Sequence, residues 1–243
     1  MIRKLYYFIL VLIIPSTTSG QTLFDKRYAT ATWNCGRKVL ETTDGYVAGG
    51  YQIAEDLVTL KQEVSAVLWK TDFNGDTIET FILGQGDTAY LNLPSNPLGL
   101  NSDEGCSDMV KTLDSNFVAL SWDQRYATHL YDYDVLLIKF NKDLDTLWTV
   151  SISHPNDTSL VAQSLIQTTD GGFVVCGKSY SFANANYVSF MLKTDSLGNL
   201  LWMRTYNNPG PGQSLYDVKE TPAGELIASG TQIINAWNDD YSP

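Results

Sequence analysis

Cysteine is scarce in this sequence: Cys35, Cys106 and Cys176 are the only three among 243 residues. An odd, low count excludes a disulfide framework as the main source of stability. Histidine is scarcer still, with His129 and His154 alone. Neither lies in an HExxH or Cys–His spacing, and no GxSxG elbow occurs, so the common signatures of metallohydrolases and serine hydrolases are missing. Basic residues are few: 16 Lys and Arg stand against 27 Asp and Glu, a formal charge of -11. That balance argues against a nucleic-acid partner, whose phosphates require basic neutralisation. Beyond residue 20 no apolar run is long enough to span a bilayer. Helical periodicity is also lacking; apolar residues recur with a period near two, which predicts strands.

What is present begins at the N-terminus. Arg3 and Lys4 precede an apolar run from Tyr6 to Ile14, and small and polar residues follow from Ser16 to Gly20. This order predicts a secretory signal peptide over residues 1–20, leaving a mature chain from Gln21 with no transmembrane segment. An uncleaved anchor is the rival reading. The expected location is secreted, extracellular or on the outer cell surface. There, acidity favours solubility.

The chain then repeats itself. KVLETTDGYVAGGYQ (38–52), MVKTLDSNFVALSWD (109–123), LIQTTDGGFVVCGKS (165–179) and DVKETPAGELIASGT (217–231) match one another. Each copy opens with a short strand, turns at Asp-Gly or its equivalent, and continues into a second strand. A third strand carries Lys70, Lys139 or Lys193. A fourth carries Trp148 or Trp202, with Glu79 in the first copy. Four short antiparallel strands cannot stand alone, and packing several such sheets about an axis protects their edges. The expected fold is therefore all-β, a β-propeller-like array of four-stranded antiparallel blades, incomplete as given. Blades are placed at about 35–85, 106–154 and 162–208, with a partial one at 214–243. Residues 86–105, rich in Pro, Gly and acids, read as a surface insertion between the first two blades. Phe24 to Tyr28 repeats the spacing of Trp202 to Tyr206, so residues 22–28 are a candidate ring-closing fourth strand. The last copy stops after two strands, which suggests a fragment of a longer protein; a short, open propeller is the rival. The cysteines fit the repeat: Cys35 and Cys106 stand four residues before Val39 and Val110, and Cys176 matches Gly49 and Leu120. Small buried thiols are expected, with a Cys35–Cys106 bridge as the alternative.

Candidate chemistry is sparse. The turn DFNGD sets Asp72, Asn74 and Asp76 at alternate positions, as calcium loops do, although no complete EF-hand pattern follows and plain Asx-turn chemistry accounts for the same residues. No other cofactor is indicated. The loops between second and third strands are richer. Trp122, Tyr126 and Tyr131 in the second copy, with Tyr180, Asn184 and Asn186 in the third, would suit a glycan or protein ligand. Tyrosine packing at blade edges is the structural rival. A paired-carboxylate hydrolase leaves no linear signature to look for.

KTDSLGNLLW (193–202) resembles the D-x-x-x-G-x-x-x-W repeat of quinoprotein-like propellers, with glycine one position early. IQTTDGGFVVCGKSYS followed by FMLKTDSLGNLLWMRTY is similar to the repeats of large secreted Bacteroidota proteins with quinoprotein-like or bulb-type-lectin-like blades. That resemblance implies export; such proteins usually end in a type IX secretion sorting domain, which is absent from these 243 residues, in keeping with the expected fragment. The resemblance supplies no catalytic residues. The expected function is a secreted or cell-surface binding, adhesion or scaffold module. The alternative is an extracellular hydrolase or quinoprotein-like oxidoreductase.

Overall fold

The structure, a computed structural model, describes residues 28, 33–56, 61–82, 105–125, 132–154, 159–181, 186–206 and 212–232. All regular structure in them is strand. The first sheet holds β1 (Trp33–Glu41), β2 (Tyr46–Asp56), β3 (Lys61–Thr71) and β4 (Thr77–Ile82). The second holds β5 (Gly105–Lys111), β6 (Phe117–Arg125), β7 (Asp132–Phe140) and β8 (Thr146–Ile152). The third holds β9 (Ser159–Gln167), β10 (Phe173–Ser181), β11 (Asn186–Thr194) and β12 (Leu200–Tyr206). A two-stranded sheet follows, β13 (Gln213–Glu220) with β14 (Leu226–Gln232). Every pairing is antiparallel between consecutive strands, and no sheet closes on itself among the described residues. The array is thus an incomplete propeller of up-and-down blades. The predicted leader (1–20), residues 22–27 of the candidate closing strand and most of the insertion lie outside the described residues.

The cores lie between sheets and not within them. Val47, Ala66 and Leu68 of the first blade pack with Cys106, Met109, Phe117 and Phe140 of the second. Val118, Leu120 and Leu137 of the second pack with Leu160, Phe173, Val175 and Phe190 of the third. Val174, Cys176 and Met191 of the third pack with Val218 of the fourth. Strand alternation explains the continuous run Phe173-Val174-Val175-Cys176. Odd members face the second blade and even members face the fourth, so both faces are buried and both must be apolar.

One turn is built three times. Asp72, Asn141 and Asp195 each open a β3–β4-type turn, and the side-chain oxygen of each accepts two backbone amides. The fourth position takes positive φ at Gly75, Leu144 and Gly198. That position meets the blade before it. A Cβ on Gly198 would come within 3.0–3.3 Å of Val150 and Trp148 in the second blade. Leu144, at φ 60, keeps its side chain and buries it in the core shared with the first blade. Gly75 receives a hydrogen bond from the Tyr28 hydroxyl at 2.7 Å, and Tyr28 packs beside Ala48, Val67 and Trp69. Tyr28 therefore stands against the first blade where β4 and β8 stand against the second and third.

A lysine clasp recurs at the same end of each four-stranded sheet. Lys139 pairs with Asp114, and Lys193 with Asp170. Lys70, 4% exposed, pairs with Asp44 of its own blade at 3.1 Å and with Asp143 of the next at 3.0 Å. Burial opposes charge on Lys70, but its hydrogen bonds with Asp143 and Asp44 outweigh this and hold the ammonium above its ordinary value. Hydrogen bonds from Lys193, Thr168 and the Gly172 amide lower Asp170 to about 2.

Lys70→Met should cost about 1–3 kcal/mol in urea unfolding, since it removes a clasp between two blades while both carboxylates remain free to meet water. Asp170 is depressed in the folded chain, so its stabilisation is complete above its ordinary 3.8 and is lost as pH falls towards about 2. Unfolding midpoints measured from about pH 5 to pH 2 should fall, and Asp170→Asn should flatten that fall. Lys70 is raised, so its contribution should hold below 10.5 and fade only at higher pH.

Candidate functional site

The turns just described occupy one end of every sheet. Antiparallel order puts the β2–β3, β6–β7 and β10–β11 connections at the opposite end, together with the links between blades. Of the sequence-predicted ligand residues, Tyr126, Tyr131 and Asn184 lie outside the described residues. Asn186 opens β11 opposite Ser181. Trp122 and Tyr180 are placed on the strands leading into this end, on different blades.

Each innermost strand carries a β-bulge at the same place. Pairing skips one residue between Gly36 and Lys38, Cys106 and Asp108, Ala162 and Ser164, and Leu215 and Asp217. The extra residues are Arg37, Ser107, Gln163 and Tyr216. All four are polar-tipped, and all are exposed or half-buried although their strands are largely covered. A bulge re-aims one side chain without disturbing the core register on either side. Here it brings one hydrogen-bonding side chain from every blade to the innermost strands.

The bulge also corrects the cysteine alignment. The first β1–β2 turn closes from Thr42 to Gly45, whereas the others close one residue later, from Thr112 to Asn116 and from Thr168 to Gly172. With register read from pairing, Cys106 is equivalent to Gly36, and Cys35 to Gly105. All three cysteines are free. Cys106 is buried against Gly49, where a Cβ would come within 2.9 Å of its sulfur. The missing side chain at Gly49 makes that room.

Second-strand residues four past the first core valine (or Ile227) form a matching series: Tyr51, Trp122, Lys178 and Thr231. By alternation the first three share a face with Val47, Val118 and Val174, the face turned to the next blade. Trp122 lies over Gly105, where any Cβ would collide with its ring, and meets the Tyr51 ring edge-on at 6.0 Å. Arg37 stands over the other partner, 5.7 Å from the Tyr51 centroid. Lys178 lies 4.4 Å from the Tyr187 centroid, and Tyr187 is paired with Tyr180 at 4.7 Å. Hydrogen bonds with Thr231 and Ser214, helped by the charge of Lys178, hold the Tyr216 phenol below its ordinary value. An arc of aromatic and cationic side chains thus crosses the blades, of which the sequence reading had found Trp122 and Tyr180. The +4 series was visible in the aligned copies as Tyr, Trp, Lys and Thr.

Beside the bulges the innermost strands form a polar relay. Lys38 pairs with Asp108 at 2.9 Å. Asp108 accepts the amides of Met109 and, one blade on, Leu165. Ser164 donates to Asp217 at 3.4 Å, and Asp217 also meets Lys219. Asp72, the head of the calcium candidate, accepts the amides of Asn74 and Asp76 and the Asn74 side-chain amide. The three residues are therefore joined by turn hydrogen bonds. Among the described residues no group of three or more His, Cys, Asp or Glu is gathered closely enough to hold a metal.

No family model matches this chain, and no curated protein does. Among solved structures, an endo-arabinase from Bacteroides thetaiotaomicron is similar over 79% of this chain and 68% of its own, at 17% identity and a TM-score of 0.40. At that distance the functional reading rests on this chain's own residues.

Burial pushes the Cys106 and Cys176 thiols up to about 12. Both should resist a thiol reagent at about pH 8 until the chain unfolds, because the thiolate is the nucleophile. Cys35, half-buried, should account for the labelling of the native protein; one modified thiol before denaturation and three after is the expected count.

Proposed function

We propose that this chain is part of a secreted or cell-surface β-propeller that acts as a binding module, with a glycan as the ligand. The observation that supports it is the arc itself. Tyr51, Trp122, Tyr187 and Tyr180 offer rings on successive blades, Tyr187 is 37% exposed, and none of these rings belongs to the interblade cores. Sugars present flat C–H faces that stack on such rings, while bulged Ser107 and Gln163 supply hydrogen-bonding groups beside them. The leader-like N-terminus and the resemblance to exported Bacteroidota repeats support the location and a type IX route. The segment ending at Tyr28 is assigned as the fourth strand that closes a ring.

A second reading, an extracellular glycoside hydrolase, is favoured by one placement. Asp108 and Asp217 occupy equivalent innermost-strand positions on either side of Ser164. Asp108 accepts from Lys38 and two amides, and Asp217 from Ser164 and Lys219, so both carboxylates are held in place on the innermost strands as a paired-carboxylate mechanism requires.

Affinity gel electrophoresis against a panel of plant and bacterial polysaccharides tests the binding reading. At least one polymer should retard the native chain, and Trp122→Ala should weaken that binding by about 10–30-fold with the fold intact. Failure of every polymer to retard it refutes the glycan assignment. Release of reducing ends, abolished in Asp217→Asn, would instead establish the hydrolase.

A further inference from the structure

The cations of the arc are held by rings. Acids outnumber bases 27 to 16 in this chain, so a carboxylate is available for nearly any lysine or arginine. Lys38, Lys70, Lys139, Lys142, Lys193 and Lys219 each take one. Among the described residues Arg37, Lys178, Lys111 and Arg204 meet no carboxylate. Arg204 lies over Trp202 on the outer strand β12, whereas Arg37 and Lys178 lie against tyrosine rings at the end of the sheets where the β2–β3-type connections leave. A ring fixes the position of a cation without neutralising it. Arg37 is exposed and Lys178 half-buried, so both charges remain open to solvent.

Two further facts locate these charges. Asp108 and Asp217, the carboxylates that follow the bulges of the second and fourth blades, are engaged by Lys38 and Lys219. Arg37 comes forward by the bulge in β1, and Lys178 faces the blade whose bulge brings Tyr216 forward. Arg37 therefore stands with Tyr51 and Trp122 between the first and second blades, and Lys178 with Tyr187 on the face turned to the fourth, so an extended polymer crossing this end would meet both. In a protein of net charge -11, a long-range field would repel an anion. Local, unneutralised cations are what a polyanion needs to overcome that field at close range, where screening is weakest.

Resting on the glycan-binding reading above, we propose that the arc takes an acidic polysaccharide, one bearing carboxylate groups. Arg37 and Lys178 meet its charges, and Tyr51, Trp122 and Tyr187 meet its sugar faces. Arg37 offers a planar fork suited to a uronate, and Lys178 a point charge.

The test uses the full chain in affinity gels containing polygalacturonate or, separately, a neutral β-1,4-galactan. Polygalacturonate should retard the chain more strongly than the galactan, and the preference should shrink as salt rises to about 0.5 M. The double variant Arg37→Gln, Lys178→Gln should lose about ten-fold or more in affinity for polygalacturonate while its retardation by galactan is unchanged. Its thermal midpoint should match the parent, because neither side chain belongs to a core. Trp122→Ala should weaken both polymers. Equal retardation by the two polymers, or a double variant that retains its polygalacturonate affinity, overturns the charge assignment and leaves the ring platform standing. Retardation by neither polymer overturns both.

Discussion

Each sheet here is stable only because its neighbours cover it. The three main cores are all shared between consecutive blades, and the residues of one strand divide between two of them. Val174 and Cys176 face one way, Phe173 and Val175 the other. A four-stranded sheet with two apolar faces would aggregate in isolation. Stacking turns that liability into the fold's cohesion, and stability becomes a sum of interface terms along a row. The Lys70 clasp on Asp143, the interlocking turns and the relay from Lys38 to Asp108 to the Leu165 amide each join one sheet to the next.

The interfaces accept variation at some places where a turn meets the blade before it. One such place is the positive-φ position of the third turn. Glycine suits the backbone there, and Gly75 and Gly198 take it without strain. The second blade instead accepts Leu144 at φ 60, an unfavourable conformation for a side chain. Burial of that leucine in the core of the first blade offsets the cost, and turn and core are thereby made interdependent.

The sequence made the architecture legible because repeats carry their own alignment. The turn residues, the strand order and the lysine and tryptophan equivalences could be read from matching copies, since Asp, Asn and Gly fix turns locally. The register of the cysteines could not. The first turn is one residue shorter than the others, and a linear comparison slides by one position where the backbone does not. The bulges were equally silent, because an unpaired residue leaves no mark on composition; Arg37, Ser107, Gln163 and Tyr216 share only a polar tip, as most strand-edge and loop residues do. The aromatic arc was half legible. Trp122 and Tyr180 stood out as aromatic residues near loops, whereas Tyr51 looked like ordinary strand filling, and its partnership with Arg37 depends on the bulge.

The bulge has a further meaning for how such a protein can change. Its extra residue is skipped by the backbone register, and none of the four side chains belongs to the apolar clusters that hold the blades together. Four positions, one on each innermost strand, can then drift or be randomised while the cores remain as they are. A library confined to residues 37, 107, 163 and 216 would explore recognition on a constant framework, in the way that hypervariable loops do on an immunoglobulin sandwich, but from within the strands.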